Sequence, residues 1–377
     1  MSIGTPERFH SLDVLRGLAA LAVVLWHWQH FFYGSSGLEP GFQRDQQPLF
    51  DVLFLFYRNG GLAVDLFFSL SGFIFFWLYA QPIARCEITA RSFFILRFSR
   101  LYPLHLITLL VVLVGQAVYA SSRHASFVYA NNDPYHFLLN LLLIPSIGLE
   151  QGNSFNGPVW SVSVEVLLYA VFYLLCRYFR PGPVLLAMLA GIGYAGMAGH
   201  LYAPVCRGIG AFYLGAATYR AFLFVRSFAG KRWMTYLISN TTAVLWMLAV
   251  WVSYSRFAPN WIPPQRLEII FFLLPVAVLF PLTILSLALV EADRGGLGKR
   301  FSVLGDISYS SYLWHFPLQL FLVILLQPLA LVPDLFRSAG ALVLFFLLLI
   351  LVSLVSYRHL EMPMQRKIRK AWLSKRE

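Results

Sequence analysis

Arg16 and His27 lie on one apolar segment, LDVLRGLAALAVVLWHW at 12 to 28, eleven residues apart. At about 100° per residue, eleven steps make roughly three turns plus 20°, so both side chains leave one helix face about 16 Å apart along the axis. Ionisable groups inside a bilayer are costly, and by default they serve function. Histidine is also the side chain whose ordinary pKa lies near neutrality, which suits it to taking and returning a proton. Further polar residues recur at helical spacing. Asp65 precedes Ser69 by four and Glu165 follows Ser161 by four, so each acid adds a polar stripe to an apolar run. Ser308, Tyr312 and His315 stand at i, i+4 and i+7, and Arg97 and Arg100 are one turn apart and face the same way. Asp13, three residues before Arg16, is expected to pair with it, and His30 is read as an interfacial residue nearer the outer surface.

The elements that carry these residues are membrane helices. Fifty-nine per cent of the chain is hydrophobic, the mean hydropathy is +0.67, and apolar runs long enough to cross recur from end to end. The formal charge of +12 sits mostly in short loops between those runs, a distribution that positive-inside topology explains and nucleic-acid binding does not require. The expected fold is all-α, a single polytopic membrane domain over 1 to 377. Its ten spans fall at roughly 12 to 34, 61 to 80, 101 to 120, 160 to 178, 183 to 202, 205 to 226, 236 to 256, 267 to 291, 306 to 328 and 337 to 358.

Cytoplasmic termini follow from the cations. That orientation places Arg85, Arg91, Arg97, Arg100, Arg177, Arg180, Arg220, Arg226, Lys231, Arg232, Arg294, Lys299 and Arg300 inside, with the basic tail from Arg358 to Arg376. It leaves scattered cations such as Arg44, Arg123 and Arg266 outside. It also requires that 136 to 150, which is short and contains Pro145, not cross. The first span is read as retained and not cleaved as a leader, because its apolar stretch is long for a signal core. Cys86, Cys176 and Cys206 show no CxxC spacing, and neither a disulfide nor a metal site is expected.

Six stretches then carry a likeness. The Arg16 to His27 spacing, GGLAVDLFFSLSGFIFF at 60 to 76, RFSRLYPLHL at 97 to 106, GPVWSVSVEVLLY at 157 to 169, SYSSYLWHFPL at 308 to 318 and YRHLEMP at 357 to 363 occur in that order. Together they resemble the bacterial integral-membrane acyltransferases called acyltransferase 3. The resemblance implies a bacterial inner-membrane enzyme that moves an acyl group, frequently acetyl, from cytoplasmic acyl-CoA to a hydroxyl of a carbohydrate or lipid-linked glycan. Some members append an extracytoplasmic SGNH-type domain. What such a domain contributes is expected here from a separate partner, or not to be needed.

On that expectation His27 is the general base, and Asp65 or Glu165 orients it and stabilises its imidazolium. Coenzyme A carries several phosphate charges, so Arg97, Arg100 and the shallower Arg16 are the expected donor-binding cations, with Ser71 as a further donor contact. Ser69, Ser71 and Gly72 alternatively serve close helix packing. Tyr312 and His315 are expected to donate hydrogen bonds to the developing oxyanion or the departing thiolate, or else to satisfy backbone groups freed by Pro317. Trp160 is a candidate for stacking on the acceptor. Direct transfer and a covalent acyl relay both fit. A different class, a transporter or flippase of a glycan or lipid-linked precursor, predicts internal inverted repeats, which the sequence does not display.

Overall fold

The computed structural model describes residues 8–34, 37–199, 201–228, 232–255, 271–326 and 332–373. Lys231, Arg266, Lys375, Arg376 and the outer ends of several expected spans lie outside the described residues. The main helices are α1 (His10–Trp26), α2 (Phe50–Asn59), α3 (Ala63–Leu78), α4 (Ala90–Arg123), α5 (Pro134–Leu141), α6 (Trp160–Tyr178) and α7 (Pro183–Ala198). They continue with α8 (Ala203–Ser227), α9 (Arg232–Ser255), α10 (Phe280–Arg294), α11 (Ser308–Leu326), α12 (Ala339–Ser356) and α13 (Met362–Leu373).

Among the described residues nine helical stretches are long and apolar enough to cross a bilayer, and the chain is a polytopic helical membrane protein. The expected span at 183 to 202 is the 16-residue α7. At about 24 Å it is shorter than a hydrocarbon core of about 30 Å. Residues 136 to 150 do not form a spanning helix. Only the eight-residue α5 occupies that stretch, capped by Asp133, which accepts from the backbone N–H of His136 at 2.9 Å. That bond, with a second from the His136 ring at 2.7 Å, holds the Asp133 carboxyl below the usual carboxylate range.

Contacts resolve two units, each assembled from separated stretches. The first comprises Met1–Ala19, Gly61–Cys86 and Val171–Asp306. In it α8 packs against α7, α3 and α10, and the close approaches are made by small residues. A Cβ on Gly215 would collide with the backbone of Ser69, and one on Gly72 with the carbonyl of Phe212. Ser69 completes this contact by donating to the carbonyl of Ala211 at 3.1 Å, so it serves packing. The N-terminus of α1 is capped from a distance of 280 residues: Glu291, buried, accepts from the backbone N–H of His10 and of Ser11, both at 2.9 Å, and from the Ser11 hydroxyl at 2.6 Å. A carboxylate there satisfies orphan donors and complements the helix dipole.

The second unit comprises Ala20–Gly60, Glu87–Ala170 and Ile307–Glu377. Its aromatic core locks the end of the first span, where α1 gives way to a 3₁₀ turn over His27–Phe32. Trp28 donates to the carbonyl of Phe336 at 2.9 Å, and Phe31 stacks on Phe336 with ring centroids 3.6 Å apart. Within this unit α11 packs against α4 and α12, while α13 returns along α4 after a π-helical turn at Tyr357–Glu361. Pro317 inside α11 has no N–H for the carbonyl of Leu313. Asn156, almost wholly buried, supplies the missing donor at 3.0 Å.

The small-residue contact is directly testable. Gly215→Val is expected to destabilise the protein by about 1–3 kcal/mol through overpacking. Gly340→Val, where a Cβ meets open space, is expected to leave the thermal midpoint in detergent unchanged.

Candidate active site

The α-to-3₁₀ change at His27 alters which residues face one another. With about 3.0 residues per turn, positions i and i+3 eclipse. His30 is therefore drawn over His27: the rings stack with centroids 4.7 Å apart at 28°, and both residues are buried. The interfacial place expected for His30 is thus corrected, because the tighter helix turns it inward. On the other side of His27 lies His315 of α11, its ring within 12° of parallel.

The hydrogen bonds fix where the protons are. His315 Nδ1 lies 2.6 Å from the carbonyl oxygen of Tyr312, which can only accept, so Nδ1 carries a proton. With neutral rings His315 Nε2 is then the acceptor, and His27 Nδ1, 2.9 Å away, must donate to it. This leaves the lone pair of His27 on Nε2. Among the described residues nothing donates to that nitrogen, and it is not one of the sealed polar atoms left without a partner, so it opens on accessible space. Gln319 completes the group. Its Nε2 donates to the carbonyl of His27 at 3.0 Å, which turns its Oε1 toward His30 Nδ1 at 3.0 Å.

Tyr312 therefore acts here through its carbonyl. Its hydroxyl donates to the carbonyl of Pro158 at 2.8 Å and lies 2.8 Å from the Ser161 hydroxyl. The phenol proton of Tyr312 and both His315 nitrogens are engaged within the protein. The carbonyl freed by Pro317 is met by Asn156, not by either of these residues.

The two acids expected to orient His27 also do other work. Asp65, fully buried in the first unit, takes a two-pronged contact from Arg207, with Nη2 at 2.5 Å from Oδ2 and Nε at 3.1 Å from Oδ1. Arg207 also reaches the carbonyl of Gly61 at 3.4 Å. Glu165, half-buried on α6, hydrogen-bonds Tyr169 one turn on, and the same tyrosine lies in the fields of Arg97 and Arg100. The partner that His27 gains is a second imidazole.

Arg97 and Arg100 lie inside the continuous helix Ala90–Arg123, not at its entrance, because α4 begins eleven residues before the expected span. Both are half-buried. Arg100 makes no hydrogen bond to any described residue, although it feels Glu361, which accepts from the Ser310 hydroxyl, and Tyr309, whose hydroxyl donates to the carbonyl of Leu101 at 2.7 Å. Arg369 of α13 donates to Ser99 at 3.2 Å and so brings the basic C-terminal helix onto the same stretch of α4.

Arg16 and Ser71 belong to the first unit. The guanidinium of Arg16 meets Asp13 at 3.0 Å, as expected, and the carbonyl of Gly305 at 2.9 Å, while Asp13 also pairs with Arg8 at 2.6 Å. Arg16 belongs to the first unit and His27 to the second, and the Arg16 guanidinium is engaged by Asp13 and by the carbonyl of Gly305. Trp160 stands half-buried at the first position of α6. Sequence reasoning missed Gln319 and Glu361. Gln319 extends the stripe of Ser308, Tyr312 and His315 by one more turn, a signal that was present, and Glu361 lies in the closing YRHLEMP stretch.

Comparison with known proteins identifies the family. Residues 9–358 match the acyltransferase 3 family model, described as an acyltransferase domain. The chain belongs to that family and is a membrane acyltransferase, which decides the choice between enzyme and transporter. Protein 2 in the picA locus of Rhizobium radiobacter is 31% identical over 186 residues, which cover 46% of this chain and 84% of that protein. Acyltransferase MdmB of Streptomyces mycarofaciens is 27% identical over 337 residues, covering 82% of this chain and 78% of MdmB. Peptidoglycan O-acetyltransferase OatA of Listeria monocytogenes is 24% identical, with 94% of this chain aligned to 56% of the longer protein. No solved structure matches the chain.

If Asp65 is structural, the pair with Arg207 should behave as a buried ion pair. Asp65→Leu alone is expected to cost about 3–5 kcal/mol by stranding Arg207, and adding Arg207→Met to recover most of that loss. Unfolding midpoints of the single and double variants in detergent measure this, and the double variant should retain transferase activity.

Proposed function

We propose that the protein is an O-acyltransferase of the bacterial inner membrane, with both termini cytoplasmic, that takes an acyl group, acetyl by preference, from cytoplasmic acyl-CoA. The acceptor is a hydroxyl of a carbohydrate or lipid-linked glycan. The observation that carries this reading is the open Nε2 of His27, an unprotonated base nitrogen held in a buried site by a hydrogen bond on the opposite side of its ring. Such a nitrogen is what a general base for a hydroxyl requires.

The acceptor O–H gives its proton to His27 Nε2 as its oxygen attacks the thioester carbonyl. The imidazolium that results keeps its Nδ1–H on His315 Nε2, which faces it with a lone pair and so stabilises the charge. When the tetrahedral intermediate collapses, the C–S bond breaks and His27 returns the proton to the thiolate. Atoms balance as ester plus free thiol, with no acyl-enzyme. Arg97 and Arg100 bind the donor's phosphates. Support comes from Arg100, half-buried and without a hydrogen bond to any described residue, because a guanidinium in that position is completed by a phosphate oxygen. The acyltransferase name of MdmB supports acyl transfer, and peptidoglycan O-acetylation in the name of OatA supports an envelope glycan as acceptor.

Transfer of radiolabel from acetyl-CoA to membrane glycan tests the reading. His27→Ala is expected to lower the rate by about 10²–10⁴-fold, the usual worth of a general base. Arg100→Ala should raise the KM for acetyl-CoA with a smaller effect on kcat. Undiminished transfer by His27→Ala, or label trapped covalently on the protein in a single turnover, would contradict it.

A further inference from the structure

His30 is a second imidazole with its proton placed. Its Nδ1 faces Oε1 of Gln319, and that oxygen can only accept, because the amide nitrogen of Gln319 is committed to the carbonyl of His27. Nδ1 of His30 therefore donates, and its lone pair is on Nε2. Like its counterpart on His27, this Nε2 takes no hydrogen bond from any described residue and is not among the sealed polar atoms. His30 is only 3% exposed. The ring is otherwise enclosed and the nitrogen that keeps access is an acceptor, so a donor that reaches it completes the hydrogen bonding of His30.

The walls around it are aromatic. The rings of Tyr33, Tyr129 and Phe316 stand edge-on to His30, each with its centroid 5.8 Å away. Burial holds the Tyr129 phenol far above its usual range, so it keeps its proton as a donor, and its hydroxyl makes no hydrogen bond to a described residue. Aromatic surroundings with a fixed acceptor and a fixed donor suit a sugar ring, whose C–H faces are apolar and whose edge carries hydroxyls. The stack of His27 on His30 adds a geometric condition: two rings, each with its proton on Nδ1, lie with centroids 4.7 Å apart, a spacing that neighbouring hydroxyls of one sugar ring can bridge.

We infer that His30 is a specificity-determining residue for the acceptor. It receives the hydroxyl adjacent to the one that His27 deprotonates, so the acceptor is a vicinal diol of a sugar ring and not a simple alcohol. This rests on the reading of His27 as the base. In the reaction the neighbouring hydroxyl keeps its proton, shared with His30 Nε2, while the reacting hydroxyl loses its own to His27.

The test uses wild-type protein in lipid nanodiscs and reads the rate at which diethyl pyrocarbonate carbethoxylates His30, site by site, by mass spectrometry. The probes are trans-1,2-cyclohexanediol and cyclohexanol at matched concentration. The diol is expected to slow modification of His30 about fivefold more than the mono-alcohol, the worth of one net hydrogen bond. In Gln319→Leu, where the tautomer of His30 is no longer fixed, that difference should vanish. Equal slowing by both probes, or slowing by neither, would overturn the inference. No turnover is needed, so failure of the base assignment, seen as transfer surviving His27→Ala, is distinguishable from failure here.

Discussion

One backbone carbonyl sets the chemistry of the candidate site. The oxygen of Tyr312 can only accept, so the proton it draws from His315 Nδ1 fixes that ring's tautomer, and the lone pair left on His315 Nε2 fixes the tautomer of His27. Two neutral rings thereby pass an orientation from main chain to reactive nitrogen without a carboxylate. The carbonyl is itself held in place by the surroundings of α11. Asn156 meets the Leu313 carbonyl that Pro317 leaves open, and the Tyr312 hydroxyl is tied to Pro158 at the start of α6. A proline inside a helix usually weakens it. Here the freed carbonyl becomes a docking point for the preceding loop, which helps to position the histidine.

The charges sort by what they can be given. In the first unit several buried or half-buried ions are matched: Asp65 with Arg207, Arg16 with Asp13, Arg226 with Asp293 at 2.5 Å, and Glu291 with the first turn of α1. Such pairs are costly to break and offset their desolvation only with full hydrogen bonding. In the second unit the arginines of RFSR share their field with Tyr169, Tyr309 and Glu361, and Arg100 donates to no described residue. The site histidines likewise present unengaged nitrogens. The proposed function draws on these groups.

Much of this was legible in the sequence. Apolar runs gave the helical membrane class and most spans, and the motif order gave the family, because length and hydropathy act locally. His27 and His315 were picked out as polar groups in apolar helices. What the sequence did not show depended on pairing across long separations. Nothing near Asp65 announces Arg207, 142 residues on, so a carboxylate on an apolar helix read as a partner for His27. His30 was read as interfacial because it lies nearer the expected outer end of the span, whereas the segment tightens to 3₁₀ there and stacks position 30 on position 27. Tyr312 was chosen for its hydroxyl, whereas its carbonyl does the orienting, and side-chain type gives no warning of that.

The account is tested most directly by the protonation pattern of His27. Protein selectively labelled with ¹⁵N-histidine, compared with His27→Gln to assign the resonances, reports by NMR which ring nitrogen carries the proton at neutral pH. The prediction is a neutral ring with the proton on Nδ1 and a bare Nε2, and a shift of the proton between the two nitrogens when His315 is replaced by Phe. A wild-type ring protonated at Nε2 would contradict it, since the nitrogen assigned to receive the acceptor's proton would already be occupied.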